Sequence, residues 1–129
     1  MKQFTFEGKN PVSRFMITYG FCLFLSIIFL LIATKSSPLY PFNDWVDVNA
    51  FFTGGKAMMN GRILYRDVFD HKGPLFYLLF GLAYLISNTL FLGVFIFEVI
   101  SFSIFLFFSF KLASLFIDFN YSLIHSYVL

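Results

Sequence analysis

Cysteine is nearly absent from this 129-residue chain: Cys22 stands alone, so no intrachain disulfide and no cysteine-based metal cluster can form. It lies inside an apolar run, where it serves as a small apolar filler. Charge is scarce too, at 12% of residues, against about 25% in ordinary soluble domains. The formal net charge is +2 and no basic run is interleaved with aromatics, which excludes nucleic-acid binding. His71 and His125 are far apart in sequence and have no spacing suited to a metal site. No cofactor and no metal are expected, and no internal repeat is present.

What the chain has in excess is apolar surface. Hydrophobic residues make up 59% of it, 22 of them phenylalanine, an ordinary lipid-facing side chain. After Arg14 no charge appears until Lys35, and after Lys72 none appears until Glu98. Each gap is long enough for a bilayer, which needs about 20 mostly apolar residues in a helix. The first apolar stretch exceeds the roughly 7–15 residues of a cleavable signal sequence, and Ala33-Thr34 makes a poor cleavage site. An uncleaved anchor is the reading.

These features predict an all-α membrane protein of about three transmembrane helices, with an amphipathic helix in its first external loop. A leader at 1–14 precedes a spanning helix at 15–34, which Lys35-Ser36-Ser37-Pro38 ends. A polar loop at 35–73 follows. The apolar block beyond Pro74 is too long for one span and is interrupted at Ser87-Asn88-Thr89, so it divides into a second spanning helix with its turn at 74–89 and a third at 90–110. Residues 111–129 form a tail or the start of a further helix. Pro74 suits the first turn of its helix, where a missing N–H costs nothing. Leader charge density favours a cytoplasmic amino terminus and an outward loop, although the loop holds more Lys and Arg by count.

Inside the loop, Asn43 or Asp44 is placed to cap a helix over 44–60 that ends at Asn60-Gly61. Val48, Phe52, Gly55 and Met59 fall on one face of it, and Asn49, Thr53, Lys56 and Asn60 on the other. Such a helix lies along the membrane surface with its apolar face on lipid or other helices.

The order of features in this loop resembles the first external loop of polytopic glycosyltransferases of the GT-C type, the class that includes dolichyl-phosphate-mannose-dependent protein mannosyltransferases. In that pattern an acidic residue follows the first spanning helix. A helix ending in glycine comes next, then a tyrosine with an acidic residue, then a Lys-Pro-Pro-like entry to the next apolar helix. The matching residues here are Asp47, Gly61, Tyr65, Asp67 and Asp70-His71-Lys72-Gly73-Pro74-Leu75, with Gly73 where a first proline is often found. The resemblance covers residues 15–86. It implies transfer of a sugar from a polyprenyl-phosphate donor to a cell-envelope acceptor at a bacterial plasma membrane.

By the same resemblance, Asp47 is the general base that takes a proton from the acceptor hydroxyl. Asp44, Lys72 and Arg66 are substrate-binding residues, Lys72 meeting the lipid phosphate as a point charge. Each also has a plain structural role: Asp44 as N-cap with Asp47 stabilising the helix start at N3, and Lys72 and Arg66 as interfacial anchors. Trp45 and Tyr65 suit sugar stacking or an aromatic belt, and Asp67 and Asp70 organise the turn before Pro74. Glu98, the one charge within the third apolar segment, should be neutral, paired or facing a polar cavity, or else lie nearer the interface than the 90–110 bounds place it. The expected partners are membrane lipid, the lipid-linked sugar donor and the remainder of a larger protein, because about three helices are too few to wall a substrate cavity. The chain alone should be inactive. A small multi-pass structural or partner-binding protein and a transporter fragment are the alternatives.

Overall fold

The computed structural model describes residues 10–68 and 71–116, and its regular elements in that range are helices. The four are α1 (Pro11–Ala33), α2 (Val46–Met59), α3 (Pro74–Ile86) and α4 (Leu92–Phe116).

α1 begins earlier than the charge pattern predicts, because Pro11 sits at the first helical position with its φ already set for a helix. It ends at Thr34, whose extended backbone breaks the ladder. Ser37 then turns back and donates from Oγ to Leu31 O at 2.7 Å, and Tyr40 Oη does the same to Ile32 O at 2.8 Å. The last carbonyls of the helix are thereby satisfied by the chain that leaves it. α4 runs through Lys111 to Phe116 rather than stopping at Phe110. Lysine is a good helix former, and its ammonium lies 5.7 Å from the Phe107 ring one turn back.

α1 and α4 pack antiparallel. Phe15 meets Phe107 edge-on, Tyr19 Oη lies 3.2 Å from Ser103 Oγ, and Ser26 Oγ donates to Val99 O at 2.9 Å. Small residues allow this approach: Cys22, Ser26 and Ser103 are all buried in the seam. The remaining surface of α1 is apolar and exposed, including Phe21, Phe24 and Phe29. Only 11% of its apolar 15–33 window is buried.

α2 packs on α3 through glycine. A side-chain carbon at Gly55 would stand 2.5 Å from the backbone nitrogen of Gly81, and one at Gly54 would stand 2.8 Å from the Tyr77 ring. The two backbones therefore touch where no Cβ fits. Phe51 on Phe76 at 4.7 Å completes the contact, and Phe52 also meets Phe91, just before α4, at 4.9 Å. The face predicted to be apolar rests on a helix: Phe52, Gly54 and Gly55 are buried, while Asn49, Thr53, Lys56 and Asn60 are exposed. α3 in turn meets α4 where Gly93 lies against the Ala83 carbonyl.

Of the three helices expected to span, two have the length and apolarity for a crossing. α1 and α4 are long and apolar enough to cross a membrane over Phe15–Ala33 and Leu92–Ser114. α3 has 13 residues and reaches only about 20 Å, short of a hydrocarbon core of about 30 Å.

Candidate functional site

α2 starts at Val46, two residues later than predicted, and Asp44 is not its cap. The N-cap position is held by Trp45, which makes no side-chain capping bond. Asn43 explains the shift: its Oδ1 accepts the Trp45 N–H at 3.0 Å, closing an Asx turn that sets the chain's entry. Asn49 Nδ2 then donates to Asn43 O and to Trp45 O, both at 2.8 Å. Asp44 is instead drawn towards Lys35, 3.8 Å away, an exposed pair worth about 0–1 kcal/mol.

Asp47 consequently sits in the first turn of α2 rather than at N3, where the positive end of the helix favours a carboxylate. It is exposed. It joins Asp44, Trp45 and Val46 around an open hollow of about 460 Å³.

The other end of α2 closes as Gly61 predicts. Gly61 has φ +81°, its N–H reaches Met58 O, and the Arg62 N–H reaches Ala57 O, the paired bonds of a Schellman ending. A tight turn follows. Tyr65 takes the left-handed φ of 67°, uncommon for a residue with a Cβ, and donates its N–H to Val68 O at 2.9 Å. Its hydroxyl donates to the Lys72 carbonyl at 2.5 Å, so the side chain braces the entry to α3.

Asp67 organises this turn. Its carboxylate accepts the Ile63 N–H at 2.9 Å and two nitrogens of Arg66 at 2.9 and 3.0 Å. The Arg66 guanidinium, with the Ile63 amide assisting, holds the Asp67 carboxyl below its ordinary value of 3.8. Arg66 is thus committed to the turn. Lys72 stands elsewhere, with Nζ 5.7 Å from the Phe51 ring. Phe51 lies one turn beyond Asp47 on α2, so Lys72 is held against the helix whose first turn carries Asp47, while the hollow beside Asp47 is lined by Asp44, Trp45 and Val46. Asp70, His125 and the 121–129 segment lie outside the described residues.

Glu98 is paired, by a residue that the sequence did not single out. Ser36 Oγ donates to Glu98 Oε1 at 3.2 Å, and Asn43 Nδ2 lies 3.5 Å from the same Ser36 oxygen. Glu98 Oε2 is shielded from solvent and has no hydrogen-bond partner among the described residues. No sequence signal could have found Ser36, since 62 positions separate it from Glu98.

The family described as "Putative competence-induced protein Ccs4 N-terminal domain" matches residues 8–128 of the chain. No curated protein matches it. No solved structure matches it either.

Proposed function

The chain belongs to this N-terminal-domain family, and from that premise we propose that it is the membrane-embedded first part of a GT-C-type glycosyltransferase of the bacterial plasma membrane. The activity is transfer of a sugar from a polyprenyl phosphate to a cell-envelope acceptor. α1 and α4 are its two membrane crossings. Their antiparallel pairing means that a chain leaving through α1 returns through α4, so α2, the turn and α3 all belong to one face, taken here as the outer one.

One observation carries the transfer reading. Lys72 is folded back over Phe51 of α2, the helix whose first turn carries Asp47. A carboxylate to take the acceptor proton, on α2, and a cation to meet the donor phosphate, packed against it from the loop before α3, are therefore both held at one short helix. Asp44 lines the same hollow and serves acceptor binding. Arg66 holds the turn through Asp67, leaving the phosphate to Lys72. The solvent-open hollow does not enclose a donor by itself, and transition-state stabilisation needs positioned groups in a preorganised site. The remaining walls are expected from further helices of a larger protein, in keeping with a family described as an N-terminal domain.

The test is transfer from a labelled polyprenyl-phosphate sugar in membranes, comparing this chain with a longer form that carries further spanning helices. The expected result is turnover by the longer form alone. Robust turnover by the 129-residue chain overturns the need for added walls, and none by either form overturns the transfer reading.

A further inference from the structure

Beyond Thr34 the chain folds back along the end of α1 instead of leaving it for water. Ser37 Oγ donates to Leu31 O at 2.7 Å and Tyr40 Oη to Ile32 O at 2.8 Å, so both residues lie against the last turn of the helix. Asn43 Nδ2 returns to within 3.5 Å of Ser36 Oγ, and Asp44 to within 3.8 Å of Lys35 Nζ. These ties hold the segment at the level of residues 31–36, where the apolar helix ends. The side chains they leave outside are large and apolar: Leu39 and Trp45 are exposed, and Phe42 is 83% exposed. Phe29 and Ile32, near the same end of α1, are exposed as well, so the apolar surface of the crossing continues onto the segment.

We propose that segment 38–45 is an interfacial anchor, with Leu39, Phe42 and Trp45 seated in the lipid headgroup layer at the end of α1, and that it fixes the depth at which α2 begins. A crossing over Phe15–Ala33 puts the last turn of α1 at the edge of the hydrocarbon, and a segment bonded to that turn lies at the same depth. Apolar side chains exposed there meet lipid, whereas in water the Phe42 ring would stay largely unburied. Asn43 and Asp44 stand between Phe42 and Trp45 and are polar, which suits the wet headgroup layer and would be costly in hydrocarbon. Tryptophan favours this level because its ring is apolar and its N–H needs a polar partner. Trp45 also holds the N-cap position of α2 and lines the hollow beside Asp47, so the anchor sets the depth of that hollow. The inference rests on the membrane placement of α1 and is independent of sugar transfer.

Trp45 is the chain's one tryptophan, so its fluorescence reports the segment in the unaltered protein. The test uses the full chain in nanodiscs of phosphatidylcholine and phosphatidylglycerol, with lipids brominated either high on the acyl chain or near its end, and with iodide as the aqueous quencher. Trp45 emission is expected to lie to the blue of free tryptophan, to be lost most to bromines high on the chain, and to resist iodide. Phe42→Trp in a Trp45→Phe background is expected to give the same pattern. Leu39→Ser combined with Phe42→Ser changes only exposed side chains; it is expected to shift Trp45 emission to the red and to raise its loss to iodide, with helix content by circular dichroism unchanged. Loss to iodide with no effect of brominated lipid puts the segment in water and overturns the proposal. Protection from iodide with no effect of brominated lipid makes the cover protein, such as a second copy, and overturns it as well. Greater loss to chain-end bromines, or an unchanged Trp45 signal in the double serine variant, also overturns it. A chain that does not enter the discs overturns the membrane placement and the proposal with it.

Discussion

Ser26 of α1 donates its hydroxyl hydrogen to the main-chain carbonyl of Val99 in α4 at 2.9 Å, joining two helices that are 73 positions apart at that point. Ser26 is fully buried, so the bond lies inside the seam and fixes how closely the two backbones approach. Ser26→Leu adds volume where none exists, and overpacking of this kind costs about 1–3 kcal/mol. The thermal midpoint in detergent is expected to fall for Ser26→Leu and to hold for Ser109→Leu, whose site on α4 is exposed. Equal midpoints for the two variants contradict the antiparallel packing.

That packing also fixes a topology. Asn60 follows α2, Asn88 lies between α3 and α4, and both are exposed. If α1 and α4 are the two crossings, cysteines at these positions share a face, whereas a crossing by α3 separates them. In a Cys22→Ser background, single cysteines at Asn60 and Asn88 are both expected to react with an impermeant thiol reagent on intact cells. Labelling of Asn60→Cys alone restores the third crossing, and labelling of neither before lysis reverses the orientation. Ser37 is a poor reporter because it is buried.

The turn ahead of α3 carries a pH signature. The Asp67 carboxyl is held below 3.8 by Arg66 and the Ile63 amide. A depressed folded value means the turn's stabilisation is complete above pH 3.8 and is lost as pH falls through the lower folded value. The Ile63 amide proton, which donates to Asp67, is expected to titrate by NMR with a midpoint below 3.8. Arg66→Gln moves that midpoint upward. A midpoint at or above 3.8 in the unaltered chain contradicts the arrangement.

Local chemistry made much of the fold legible. Pro74 opens α3 where a proline is harmless, Gly61 ends α2 in the left-handed conformation, and Ser87-Asn88-Thr89 marks the turn before α4. The errors arose where distant or competing groups decide. Asn43 and Asp44 are both good caps by type. The outcome turned on Asn43 reaching the Trp45 amide and on Lys35 drawing Asp44 aside, which composition cannot rank. The packing of α3 was illegible for a related reason, since an apolar run of 13 residues looks alike whether it begins a crossing or packs against glycines of a neighbour. Around the candidate site, the commitment of Arg66 to Asp67 and the pairing of Glu98 with Ser36 depend on folded geometry.

Sugar transfer through Asp47 is tested most directly by turnover of Asp47→Asn in the form of the protein that carries further spanning helices, with donor binding measured in parallel. The substitution keeps size and removes the base. General base catalysis contributes roughly 100-fold or more, so turnover is expected to fall by at least that factor while the lipid-linked sugar still binds. Full turnover in Asp47→Asn contradicts the account.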